Sequence, residues 1–172
     1  MLNQLITSKT RLRLLIKFFI SQGNRGYLNG LATEFNESTN AIRKELNHLS
    51  SAGYLDKTKE GNKVSYKANT QHPLFDVLQK GIYMHLGLEH IVERTLERMG
   101  PVEKILLIGD YAKGLDTGTI EIVVIGQSLN TEYIEALENK IEDFIGRKVR
   151  FYFSNKESSN QHSLVLYKVS EK

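Results

Sequence analysis

Cysteine and tryptophan are absent from the 172-residue sequence, and proline occurs only twice. Without cysteine there is no disulfide framework, no thiolate zinc site and no cysteine nucleophile. Long apolar runs are missing too. A stretch such as residues 105–108 falls far short of the ~20 residues a membrane-spanning helix needs. Over residues 1–21 basic and apolar side chains are interleaved at helical spacing. A signal peptide would place a basic stretch before an unbroken apolar one. The expectation is a soluble, cytoplasmic protein with no membrane partner.

The composition is that of a folding chain, with 40% hydrophobic and 25% charged residues. That excludes a disordered polypeptide. The net charge of +3 conceals an asymmetry. Residues 1–80 hold 12 Lys and Arg against 6 Asp and Glu, a balance of +6, and residues 81–172 hold 11 against 14, a balance of −3. A basic half beside an acidic one points to a polyanionic partner for the first half.

Ser8 is placed to cap a helix carrying Leu12, Leu15, Ile16 and Phe19 at helical spacing. Gly23, Asn24 and Gly26 then break the chain. Residues 28–35 read as a short helix with Leu28, Leu31, Ala32 and Phe35 on one face. After Asn36 and Glu37, Ser38 can cap a further helix to about Ser51, and Gly53 fits its left-handed C-terminal position. Residues 54–67 alternate weakly about the turn Glu60-Gly61-Asn62-Lys63, a β-hairpin signal. This order is that of a winged helix-turn-helix, expected over residues 1–72.

The helix from Ser38 has two faces. Ile42, Leu46 and Leu49 pack inward, which turns Thr39, Asn40, Arg43, Lys44 and Asn47 outward, with His48 at the border. Arginine pairs bidentately with guanine and asparagine with adenine, while Lys, Ser and Thr hold phosphate. Lys59, Asn62 and Lys63 at the hairpin tip, with Lys57 and Lys67 on its arms, form a basic wing that can reach phosphate or a minor groove. A solvated helix face and a lysine-protected edge hairpin are the plainer alternative. The expected DNA-binding set is Ser38, Thr39, Asn40, Arg43, Lys44, Asn47, Lys59, Asn62 and Lys63, on double-stranded DNA.

Residues 31–55, LATEFNESTNAIRKELNHLSSAGYL, resemble the helix-turn-helix of arsenic-repressor-type (ArsR-like) winged-helix regulators. The resemblance implies a transcriptional regulator acting as a dimer on a palindromic operator. The chain departs from the metal-sensing members, because their cysteine ligands are missing.

Residues 69–73 read as a linker, and 74–99 as a connecting helix within 73–100, which Gly81 and Gly87 can break or kink and Gly100-Pro101 stops. Its stripe of Phe75, Leu78, Ile82, Leu86 and Ile91 is long enough to offer part of itself to a second subunit, and Leu12 and Phe19 are the other candidate dimer surface. Beyond Pro101 the texture becomes that of a small α/β domain over 101–172. Strands are expected at 104–108, 119–125, 148–153 and 163–169. A helix capped by Thr131 runs to Ile145, and a polar, mobile tract covers 155–161. The fold class is α+β.

Gly109-Asp110-Tyr111-Ala112-Lys113-Gly114, followed by Thr119-Ile120-Glu121 on a strand, resembles the signature of nucleotidyltransferases of the polymerase-beta-like fold. The resemblance implies a glycine loop for phosphate and three strand carboxylates for Mg²⁺. Asp110 stands in place of the loop serine, Thr119 in place of the first carboxylate, Glu121 in place of the second, and Arg150 where the third is expected. One carboxylate of three cannot hold two divalent ions. The expectation is therefore a degenerate nucleotide site of Gly109, Asp110, Lys113, Gly114, Thr119, Glu121 and Arg150, with no catalytic residue, metal or cofactor. Arg150 could pair with Glu121. Asp110, Asp116 and Glu121 are a weaker cation-site alternative, as is His85 with Glu89 and His90 on one helix.

The favoured function is a DNA-binding transcriptional regulator whose C-terminal domain senses an effector, dimerises or binds a protein partner. The alternatives are an active nucleotidyltransferase targeted by its winged helix, and a winged helix used only for protein contacts.

Overall fold

The computed structural model describes residues 2–156 and 162–170. Most of the tract expected to be mobile lies outside the described residues. The chain divides into two compact units, Met1–Ile82 and Tyr83–Lys172.

The first unit contains α1 (Leu2–Leu5), α2 (Lys9–Phe19), β1 (Arg25–Tyr27), α3 (Leu28–Phe35), α4 (Thr39–Ser51), β2 (Leu55–Glu60) and β3 (Lys63–Ala68). Most of α5 (Phe75–Leu86) follows. Helix starts and stops fall where capping chemistry puts them. The Ser8 hydroxyl accepts the Arg11 N–H at 3.2 Å, and the Ser38 hydroxyl accepts the Ala41 N–H at 3.2 Å. At the end of α4 the Tyr54 N–H reaches the Leu49 carbonyl and the Gly53 N–H reaches that of Ser50. Gly53 sits at φ +81°, completing a Schellman turn. The core is built by Leu14, Phe18, Leu31, Ile42, Leu46 and Leu55, all nearly or fully buried.

Two elements of this unit escape the sequence reading. One is the short α1. The other is β1, which occupies the supposed break at 23–26 and gives a sheet of order β1-β3-β2. Its register pairs Arg25 with Lys67, Gly26 with Tyr66 and Tyr27 with Ser65. A Cβ on Gly26 would lie 2.9 Å from Leu31 Cδ1, so the residue that looked like a breaker lets strand and helix pack closely. Helix, strand, helix, helix and hairpin follow one another in the order expected of a winged helix-turn-helix.

The second unit holds the end of α5, then α6 (Leu88–Arg98), β4 (Val102–Ile108), α7 (Gly109–Ala112), β5 (Thr119–Gly126), α8 (Ile134–Ile145), β6 (Lys148–Ser154) and β7 (Leu164–Lys168). The sheet order is β6-β5-β4-β7. Strands β5 and β6 run parallel, joined through α8 as a parallel pair requires, and the other pairs are antiparallel. Ile120, Ile122, Val124, Val149 and Phe151 alternate inward with Leu137 and Ile141 of α8 in the core.

Three expectations change here. The single connecting helix is two helices. Gly81 stays helical and the break falls at Gly87, at φ +77°, where a Cβ would lie 2.2 Å from Ile145 Cγ2. Thr131 does not cap α8, which starts at Ile134. Asn130 supplies the local acceptor instead, taking the Glu132 N–H at 3.3 Å. Phe75, Ile82, Leu86, Ile91 and Phe19 are buried within the chain, so the stripe expected to reach a second subunit fills cores. The apolar side chains that α5 leaves exposed are Val77 at 65% and Met84 at 48%, with Leu74 at 45% just before its first turn.

Candidate nucleic-acid interface

Helix α4 separates its chemistry by face. Ile42, Glu45, Leu46 and Leu49 are buried, and Thr39, Asn40, Arg43, Lys44, Asn47 and His48 are exposed. The inward charge is neutralised. Glu45 accepts from Arg11 Nε at 2.8 Å and from the Ser8 hydroxyl at 2.8 Å. Burial opposes the charged carboxylate, but these two donors outweigh it and hold Glu45 below its ordinary range. Arg13 bonds Glu37 and the Phe35 carbonyl, and Lys17 pairs with Glu34 at 2.9 Å. Arg11, Arg13 and Lys17 of α2 are thus paired within the unit, whereas Lys44 on α4 carries no ion pair among the described residues. Arg43 bonds only its neighbour, donating to Asn40 Oδ1 at 3.0 Å.

A groove of about 580 Å³ runs between α4, the start of α3 and the hairpin, and it brings Arg43, Asn47, Asn62 and Lys63 together. Ser38, Thr39, Asn40, Lys44 and Lys59 do not line it. The Ser38 hydroxyl is committed to its cap. Thr39, Asn40 and Lys44 are exposed on α4, and Lys59 is exposed on β2, in register with Val64.

Tyr27, Asn29 and Gly30 line the groove as well, and the sequence reading missed them. Helix α3 begins there with Tyr27 as its cap residue and no side-chain cap. No side chain of the cap residue takes the first backbone N–H groups of α3, and a helix start of this kind favours an anion. The Lys63 ammonium lies 6.0 Å above the Tyr27 ring. The Tyr27 hydroxyl donates to Glu60 at 2.6 Å, and this bond to a carboxylate is the main reason its pKa lies above the ordinary range. Arg25 approaches Glu60 at 3.6 Å. The signal that could have exposed Tyr27 is its position directly before an uncapped helix.

In the second unit the expected nucleotide-site residues cluster where β4 passes into α7 and beside it on β5 and β6. Gly109 is at φ +67°, and a Cβ there would fall 1.9 Å from Glu121 Oε2, so the Glu121 side chain folds against the glycine. Asp110 is half-buried in α7, Lys113 is exposed, Gly114 is buried at φ +79°, and Thr119 opens β5. Glu121 accepts from the Tyr152 hydroxyl at 3.2 Å. Arg150 lies opposite Glu121 in the β5–β6 register, but its guanidinium approaches Glu138 at 4.0 Å. The ion pair expected with Glu121 is therefore replaced.

Asp116 is not available as a cation ligand. Arg147 bonds it through Nε at 3.3 Å and through a terminal nitrogen at 3.1 Å, and the Tyr111 hydroxyl donates to the same carboxylate. Burial pushes the carboxyl up, but these bonds win and hold Asp116 below its ordinary range. Burial first, and Asp116 second, push Tyr111 well above its own. Among the described residues no three His, Asp or Glu side chains converge on a point that could hold a metal ion. No helix among them is long and apolar enough to cross a membrane.

No protein-family model matches the sequence, and no curated protein matches it. Two solved structures are similar to the chain. Reduced HlyU from Vibrio cholerae is 20% identical with a TM-score of 0.40, over 51% of this chain and 83% of that one. The antimony-specific transcriptional repressor AntR is 20% identical with a TM-score of 0.41, over 54% of this chain and 78% of that one.

Proposed function

We propose that the chain is a DNA-binding transcriptional regulator that reads double-stranded DNA through α4 and the hairpin. One observation carries the reading: Arg43 and Asn47 of α4, Asn62 and Lys63 of the wing, and the uncapped start of α3 line a single groove. Base-edge donors, a lysine and a helix start without a side-chain cap in one trough suit base readout combined with phosphate anchoring. The outward face of α4 supplies Thr39, Asn40 and Lys44 beside it.

The test is fluorescence anisotropy on random and selected duplexes across a salt series. Arg43→Ala costs about 1–3 kcal/mol on the selected duplex if it reads a base. Lys63→Ala weakens binding to every duplex and lowers the salt slope by about 1. Failure to bind any duplex at low salt overturns the reading.

The regulator works as a homodimer, because one helix-turn-helix reads few base pairs and two half-sites supply the rest. Leu74 just before α5 and Val77 in its first turns, both exposed in the first unit, are the surface that favours pairing. Light scattering at micromolar concentration checks this, with a monomer as the contrary result.

The second unit is a degenerate, non-catalytic nucleotidyltransferase-like domain, serving as a sensor or partner-binding module of a cytoplasmic protein. What supports this is the order β4-α7-β5-α8-β6, with a glycine turn after the first strand and Glu121 alone among the expected carboxylates. Labelled nucleoside triphosphates with Mg²⁺ or Mn²⁺ and candidate acceptors give no transfer. Transfer that disappears in Glu121→Ala would restore the enzyme reading.

A further inference from the structure

Helices α6 and α8 enclose a cavity of about 390 Å³ that shares no residue with the groove of the first unit or with the Gly109–Glu121 cluster. Its α6 wall presents His90, Arg94 and Arg98. These are four residues apart, so they stand in one row along the helix. Its α8 wall presents Tyr133, Lys140 and Phe144, with Leu137 in the floor.

The charge is one-sided. No Asp or Glu lines the cavity among the described residues, and only Arg94 is paired, with Glu97 at 2.9 Å. Arg98 and Lys140 have no ion pair among the described residues. Phe144 is 70% exposed, an unusual placement for so large an apolar ring. The His90 ring lies against it at 4.0 Å between centroids with 24° between planes. Tyr133 is 48% exposed at the other end and begins α8 without a side-chain cap.

We propose that this cavity binds a small organic anion, a flat aromatic ring system bearing one phosphate or carboxylate. The volume falls in the range of small-molecule sites. Arg98 and Lys140 supply the cations for the acid group, since unpaired guanidinium and ammonium groups gain charge-assisted hydrogen bonds on contact with it. Tyr133 and Phe144 supply faces for the ring, and burying them removes apolar area from water. Inorganic phosphate alone meets only half of the site, and a neutral arene meets the other half. The binding does not depend on whether the first unit recognises DNA, because no residue is shared.

The probe is 1-anilinonaphthalene-8-sulfonate, which carries both features, titrated into the full chain and read by its fluorescence. One saturable site per chain is expected. The double variant Arg98→Ala/Lys140→Ala weakens it by about fivefold or more, as does Phe144→Ala, while Arg43→Ala/Lys63→Ala in the other unit leaves it unchanged. Adenosine monophosphate and salicylate are then used as competitors. Displacement by the first assigns a phosphate-bearing ligand, displacement by the second a carboxylate, and inorganic phosphate displaces neither probe nor competitor. All the substituted residues of this cavity are exposed, and circular dichroism checks their folding. If the alanine double variant is unfolded, Arg98→Gln/Lys140→Gln replaces it with the same expected loss. Absence of a saturable site, equal affinity in the charge variants, or failure of both organic competitors overturns the proposal.

Discussion

Charge is handled in opposite ways by the two units. In residues 1–82 the helices divide it by face. Arg11, Arg13 and Lys17 are tied to Glu45, Glu37 and Glu34 within the unit, and Arg43, Lys44 and Lys63 have no such pair among the described residues. In residues 83–172 charge is gathered into a partly enclosed cluster. Arg147 and Asp116 hold each other with side chains only 17% and 27% exposed, and Arg147 also reaches the His85 carbonyl at 3.3 Å. That cluster fastens the 113–118 connection to the start of β6. The difference separates two uses of the same residue types. A cation paired within its own unit fixes geometry, and an unpaired cation on a rigid face is available to a partner. Net charge alone, +6 against −3 by sequence halves, does not make that distinction.

The contrast predicts its own largest break. Asp116→Ala strips Arg147 of its partner and the buried Tyr111 hydroxyl of its acceptor. Breaking such a pair leaves an uncompensated charge, and with the partial exposure of both side chains the expected loss is about 2–3 kcal/mol. Urea unfolding of the full chain measures it, and DNA affinity at a stabilising temperature stays unchanged because no groove residue is touched. Glu45→Ala is the counterpart in the first unit. It removes two hydrogen bonds and leaves Arg11, already 36% exposed, free to turn to water, so about 1–2 kcal/mol is expected.

Acid gives a second handle on the same pair of carboxylates. Glu45 and Asp116 both lie below their ordinary values of 4.5 and 3.8 in the folded chain. Each binds its proton more readily when unfolded. Their contribution to stability is therefore complete above those ordinary values and is lost as pH falls through the depressed ones. Thermal unfolding followed from pH 6 to pH 3 should show a steep loss below about pH 4.5 in the parent chain. Asp116→Ala should flatten the lower part of that loss and Glu45→Ala the upper part.

How much of this was legible follows the range of the interactions. Helix α4 could be read because Ser38, the period of Ile42, Leu46 and Leu49, and Gly53 are all local signals. The four strands of the second unit were legible from local pattern, β4 as a short apolar run and β6 as an alternation of exposed and buried residues. Strand β1 was not, since three residues with a central glycine carry no alternation and only the edge of β3 defines them. The Asp116–Arg147 pair joins residues on either side of β5 and α8, and nothing near either marks the other. The apolar stripe from Phe75 to Ile91 was visible as apolar, but a stripe does not say whether its own core or a second chain covers it. The groove fared in between. Its α4 and wing residues followed from periodicity and turn chemistry, while Tyr27 entered through the pairing of β1.

The smallest effect sharpens the comparison most, because Ser38 sits where fold and function meet. Its hydroxyl accepts the Ala41 N–H, and the residue also stands at the end of α4 that presents Thr39, Asn40 and Arg43 outward. Ser38→Ala leaves that N–H to water and costs about 1 kcal/mol of stability, read by thermal or urea unfolding. Ser38→Asp restores the acceptor and adds a negative charge at the positive end of the helix, so stability returns to the parent level or slightly above. On the proposed DNA interface the same aspartate would face phosphate. Affinity for all duplexes should fall in Ser38→Asp although the fold is intact, and fall less in Ser38→Ala although the fold is weaker. Stability and binding moving in opposite directions across these two variants would separate the cap from the interface. A Ser38→Asp chain that binds duplex as well as the parent would remove the start of α4 from the DNA-facing surface.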